Sequence, residues 1–208
     1  YYRNTGDTLN EQIESDKWFS DYPETYVRFK VDSLAYAGMV HEAINYGQQM
    51  ILKNPMYSAS YFAVGLEYLV ARNPDSAIQY LEIANVMSPD IPDYIYFLGL
   101  AYAEKGDIDK AEDEFNNYMS INDSLIDPYL VLLKLYKDGE SNEKYYSLLA
   151  KVAQREDAPN NILIEYGVYL INTGEEKRGQ DYLKKAISNG LDSTSIQQLI
   201  KKYPQLQF

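Results

Sequence analysis

A chain of 208 residues, 46% hydrophobic and 24% charged, carries enough apolar side chain to bury a substantial core, which excludes a disordered segment. Its 19 basic and 31 acidic residues leave a net charge of −12, which repels phosphate backbones and anionic lipid headgroups and so counts against nucleic acid and membrane surface as partners. Cysteine is absent, removing disulfides and thiolate chemistry, and no apolar run approaches the roughly 20 residues that cross a bilayer.

The chain opens at Tyr1 rather than Met, and reads as a processed chain or as a piece of a longer one. Its first segment, 1–23, has two readings. Tyr2 to Asp7 matches Tyr102 to Asp107, the end of a helix and its turn, with Leu9 and Ile13 on the slots that Ala43 and Gly47 occupy one period later. The segment is then a truncated repeat; otherwise it is an N-terminal capping helix ending at Trp18 and Phe19.

From residue 24 the sequence is periodic. In 58–91, Tyr61, Val64, Gly65 and Tyr68 share one side of a first helix, Ala77, Leu81 and Ala84 one side of a second, and Pro89 closes the unit. Adding 34 residues gives Ile95, Leu98, Gly99 and Tyr102, then Ala111, Phe115 and Tyr118, with Gly106 and Asp107 at the turn. The same frame, more degenerate, yields Val27, Leu34, Gly38, Ala43 and Gly47 in 24–57 and Tyr129, Leu132, Tyr136, Tyr145 and Leu149 in 126–159. A fifth unit, 160–193, supplies Leu163, Tyr166, Gly167 and Leu170, then Leu183 and Ala186. Each unit predicts a helical hairpin with one apolar face, stable only when stacked on neighbours. Asn73-Pro74-Asp75 and Thr173 to Glu176 read as helix starts. The end segment, 194–208, follows Asp192 with Ile196, Leu199, Ile200 and Tyr203 at helical spacing before Pro204, and predicts a capping helix with Gln and Lys outward.

These slots resemble the tetratricopeptide repeat (TPR) family. The resemblance covers 24–193 and implies an all-α, right-handed α-α superhelix: a TPR solenoid of five repeats plus terminal helices. Small residues at Gly65, Gly99 and Gly167 fit the family's close helix approach, received by Ala77 or Ala111, whereas Tyr145 and Gly179 replace that alanine and predict different packing in the last two units. The family also implies a protein or peptide partner held on a concave face lined by first helices. Members that grip the acidic C-terminus of chaperones use a Lys/Asn/Arg clamp on that face. Here the corresponding slots hold Phe62, Ala63 and Leu66, then Tyr96, Phe97 and Leu100, then Leu130, Val131 and Lys134, then Ile164, Glu165 and Val168. An apolar, aromatic strip replaces the clamp. The expected anchors for an apolar partner segment are Phe62, Leu66, Tyr96, Phe97, Leu100 and Leu130, with Arg28 and Lys134 orienting its polar groups. A symmetry mate is a second filler of such a strip, giving a homodimer, and the chain's own neighbouring helices are a third. The alternative function is a regulatory or localising module of a larger enzyme or sensor. General likeness to Tyr- and Asn-rich bacterial members points towards a bacterial scaffold at the periplasm or cell envelope.

Nothing in the sequence favours catalysis. The single histidine, His41, sits at the start of a second helix beside the repeat alanine and reads as a surface residue. Asp107, Asp109, Glu112, Asp113 and Glu114 cluster at a helix start, where the unpaired N–H groups favour negative charge. No phosphate-binding glycine loop, nucleophile elbow or zinc ligand set is present, so no enzyme activity, catalytic residue, metal or cofactor is expected.

Overall fold

The computed structural model describes residues 17, 20, 21 and 23–202, and among these there are helices and turns but no strand. Expectations placed on 1–16, on 18 and 19 and on 203–208, including the roles of Leu9, Ile13, Trp18, Phe19, Tyr203 and Pro204, lie outside the described residues. The helices are α1 (Pro23–Tyr36), α2 (Val40–Lys53), α3 (Ser58–Val70), α4 (Pro74–Met87), α5 (Pro92–Lys105), α6 (Ile108–Ile121), α7 (Asp127–Asp138), α8 (Asn142–Ala153), α9 (Asn160–Asn172), α10 (Glu176–Ser188) and α11 (Ser193–Lys202). The first ten pair in order into five hairpins, the all-α repeat architecture that the 34-residue period predicts.

Helix starts follow local chemistry. Asn73 accepts a hydrogen bond from the Ser76 N–H at 3.2 Å ahead of Pro74, Asp107 accepts from the Lys110 N–H, and Asp192 accepts from the N–H groups of Thr194 and Ser195 at 3.0 and 2.9 Å. The turn at 173–176 behaves differently from its reading as a helix start. Thr173 turns back, its hydroxyl donating to the carbonyls of Tyr169 and Leu170, so it closes α9, while α10 begins after Glu175 with no side-chain cap. A threonine hydroxyl reaches carbonyls three and four residues back as readily as it caps forward.

The chain divides into two compact units, 1–122 and 123–208. In the first, α1–α2, α3–α4 and α5–α6 stack, α2 lying on α3, α4 on α5, and the first helices α1 and α3 side by side. Its core runs through Val27, Val31 and Ala43 to Phe62, Val64, Leu81, Ile95 and Phe115, all essentially without solvent exposure. A cross-helix polar contact accompanies it: Gln48 donates to the hydroxyls of Tyr68 and Tyr80, whose rings stack 5.5 Å apart.

The second unit holds α7–α8, α9–α10 and α11 around Tyr129, Leu132, Leu149, Leu163, Leu170 and Leu183. The two substituted alanine slots resolve differently. A Cβ on Gly179 would lie 2.5 Å from the Gly167 carbonyl oxygen, and one on Gly167 would lie 2.9 Å from that of Gly179, so this glycine pair brings the α9 and α10 backbones into direct contact. At Tyr145 the ring is buried beneath the ammonium of Lys137, 5.5 Å from its centroid. Burial first, and a hydrogen bond with Glu165 second, raise the pKa of its hydroxyl.

Candidate protein-binding face

The first helices of the amino-terminal unit carry most of the residues singled out from the sequence. α5 brings Tyr94 and Phe97 over the side chain of Phe62 on α3. The Phe62 ring stacks on Tyr94 at 4.5 Å between centroids and meets the edge of Phe97 at 5.6 Å, leaving it 0% exposed. Phe62 is therefore a core residue, which corrects its assignment as a partner anchor. The slot it occupies is groove-facing in the family pattern; here two aromatic side chains from the next first helix close over it.

Leu66, Phe97 and Leu100 are half-buried and retain apolar surface. Tyr96 is also half-buried, but its ring leans on α6, 5.3 Å from Tyr118 and 6.0 Å from Phe115, and on Phe97 at 5.3 Å. It belongs to its own hairpin as much as to any outward face. Arg28 on α1 is engaged as well. Its guanidinium lies 3.9 Å from Asp32, 4.0 Å from Asp93 on α5 and 5.2 Å from the centroid of Phe62, bracing three successive first helices. In the second unit, Leu130 is half-buried and Lys134, one turn later on α7, is exposed.

Two carboxyl groups on this face were not among the residues singled out. Glu67, on α3 beside Leu66, is 4% exposed, and its Oε2 has no hydrogen-bond partner among the described residues. Burial, with the negative charge of Asp32 second, pushes its carboxyl up from the ordinary 4.5 to about 7. Asp32 is itself raised by burial, against the lowering effect of Arg28. The signal for Glu67 lay in the sequence: it is the single charged residue in the α3 segment SASYFAVGLEYLV. Among the described residues no group of three or more His, Cys, Asp or Glu is arranged to hold a metal ion, and no described helix is long and apolar enough to cross a membrane.

Comparison with known proteins bears on the fold. Residues 92–124 match the family model described as tetratricopeptide repeat. Sequence similarity to curated proteins finds no relative. Among solved structures, the chain is similar to MamA, at 20% identity with a TM-score of 0.64 over 76% of this chain and 92% of that one. It is also similar to YrrB, described as a TPR protein with an unusual peptide-binding site, at 15% identity and a TM-score of 0.65 over 90% of this chain and 97% of that one. A third is TTC0263, a thermophilic TPR protein of Thermus thermophilus, at 18% identity and a TM-score of 0.55 over 76% and 87%. Residues 92–124 thus match a tetratricopeptide repeat, the same 34-residue hairpin recurs on either side of them, and the fold is that of a tetratricopeptide-repeat solenoid.

Proposed function

We propose that this protein is a non-catalytic interaction module whose amino-terminal unit holds an apolar segment of a partner protein on the first-helix face, with Phe97, Leu66 and Leu100 as its contact residues. One observation carries the reading. On a chain with a net charge of −12, three large apolar side chains on consecutive first helices keep part of their surface in water, seated on a core rigidified by the Phe62, Tyr94 and Phe97 rings. Tyr96 contributes at the edge, and Arg28, balanced by Asp32 and Asp93, orients polar groups of the segment. On α7, Leu130 and Lys134 offer a smaller patch of the same apolar and basic character. In the first unit the slots of the chaperone-tail clamp hold Phe62, Leu66, Tyr96 and Phe97, so a terminal carboxylate finds no charged fork there. Protein binding is also the activity for which the YrrB description speaks, a peptide-binding site on the same fold.

The test starts by capturing a partner through cross-linking and mass spectrometry, then titrates it against the wild type, Phe97→Ala and Leu100→Ala, each shown folded by circular dichroism. Partner surfaces of this kind place most of their energy in a few aromatic and aliphatic anchors, so each variant is expected to weaken binding by roughly tenfold, about 1.4 kcal/mol. Wild-type affinity in both variants overturns the assignment of this face.

A further inference from the structure

The second unit contains a cleft of about 450 Å³ that the face described above does not involve. It opens between α8 and α9, and its wall is tyrosine. The rings of Tyr146 and Tyr169 stack 4.1 Å apart, Tyr166 lies nearly parallel to Tyr169 at 6.2 Å, and Tyr182 braces Tyr166 edge-on at 4.9 Å. Two carboxylates, Glu143 in the first turn of α8 and Glu175 ahead of α10, stand at the rim. No basic residue lines the cleft.

We infer that this cleft is a binding site for a lysine or arginine side chain presented by a partner polypeptide. Three observations converge on a cation. The negative face of each tyrosine ring attracts positive charge, and this chain uses the interaction repeatedly: Lys151 lies 4.9 Å from the centroid of Tyr129, Lys110 lies 4.9 Å from that of Tyr102, and Lys144 lies 5.5 Å from that of Tyr136. No Lys or Arg makes a cation–π contact with Tyr146, Tyr166 or Tyr169 among the described residues; Arg178, held by Glu175, acts on Tyr166 electrostatically without such a contact. Glu143 is exposed and makes no ion pair within the described residues, whereas Glu175 is bonded to Arg178 through one oxygen and keeps the other. The rim charge therefore complements a basic group, and the net charge of −12 draws one in. The cleft opens to solvent along two helices, a shape that admits one side chain from a backbone remaining outside. The polypeptide source rests on the reading of the protein as an interaction module.

The experiment uses the full chain, isotopically labelled for amide NMR, and titrates the tripeptide acetyl-Gly-Lys-Gly-amide against its uncharged counterpart with norleucine in place of lysine. Saturable shifts confined to amides of 142–150 and 166–176, with the lysine peptide at least about fivefold tighter than the norleucine peptide, are expected. Tyr169→Leu keeps apolar bulk but removes the π-face, and is expected to weaken the lysine peptide about fivefold. Glu143→Gln, a surface change that leaves the fold intact, is expected to weaken it about twofold at low salt. Equal binding of the two peptides, or wild-type affinity in Glu143→Gln and in a folded Tyr169→Leu, overturns the proposal. Tighter binding of tetramethylammonium than of the lysine peptide overturns the polypeptide source, and saturable binding of N-acetylglucosamine in the same cleft without the lysine peptide overturns the cation. None of these outcomes touches the Phe97→Ala titration, which reports on the other unit.

Discussion

Phe62 and Phe97 are both aromatic residues of first helices, yet the packing assigns them opposite work. Phe62 has no exposed surface, so Phe62→Ala opens a cavity bounded by Tyr94, Phe97 and Arg28 and is expected to cost about 3–5 kcal/mol of stability by denaturant melting. A fold as stable as the wild type with that change would contradict its burial. The sequence shows an apolar residue on an apolar stripe in both cases; which of them the next first helix covers depends on Tyr94, at a slot that the repeat signature does not specify. Glu67 was equally hard to read, because a lone acid in an apolar helix is ordinarily a surface residue. Its pH behaviour follows from its burial. A carboxyl raised from 4.5 to about 7 holds in the folded chain a proton that the unfolded chain releases, so its contribution to stability is greatest below about pH 4.5 and is lost as pH rises through 7. Asp32, raised in the same direction, adds to the trend. Glu67→Gln removes the buried charge while keeping shape, and is expected to gain on the wild type by roughly 1–3 kcal/mol between pH 5.5 and 8. Thermal melts of the two proteins that stay parallel across that range would refute the assignment.

At the scale of elements, the helices were legible because the apolar period and the fixed spacing of small residues are joined at several of them by a further signal, a proline in the first turn of α4, α5 and α7 or a capping side chain ahead of α4, α6 and α11. Where one signal stood alone the reading slipped, as at Thr173, which closes α9 instead of starting α10. Glycine spacing carried more structural content than its role as a small slot suggested. At Gly99 an added Cβ would meet the Phe115 ring at 2.9–3.2 Å, whereas at Gly179 it would meet a backbone oxygen at 2.5 Å. A ring shifts by tenths of an ångström more readily than a helix backbone does. Alanine is favoured over glycine in a helix by about 1 kcal/mol, yet Gly179→Ala is expected to destabilise by roughly 1–3 kcal/mol and Gly99→Ala by less. Urea denaturation that ranks them the other way would show that α9 and α10 separate easily. A larger group at Gly99 has no such margin. Gly99→Leu should cost about 1–3 kcal/mol or more, and hydrogen exchange should show lost protection spreading from α5–α6 into α3–α4, since stacked hairpins carry stability through shared interfaces.

At the scale of the whole molecule, the architecture followed from the 34-residue period, while the chemistry of each face did not. Periodicity reports which side chains recur, whereas a surface is set by what neighbouring helices leave uncovered, and the tyrosine wall around Tyr146 and Tyr169 joins slots of two different repeats that no single-repeat pattern links. Charge, in contrast, is readable at once and makes a separable prediction. With 31 acids against 19 bases, the chain should pass through a heparin column unretained at pH 7.5 and low salt. Partner binding on the Leu66, Phe97 and Leu100 face draws on apolar burial, and salt does not screen that. The lysine site in the other unit is held partly by exposed carboxylates, and the Debye length contracts from about 30 Å at 0.01 M to about 3 Å at 1 M salt. Raising sodium chloride from roughly 0.02 to 0.5 M is therefore expected to weaken the lysine peptide several-fold and to leave the captured partner within about twofold, as read by paired titrations on one preparation. A partner that is released by salt in step with the lysine peptide would show that it is held by charge, and would move the principal binding surface from the apolar face of the first unit to the tyrosine cleft of the second.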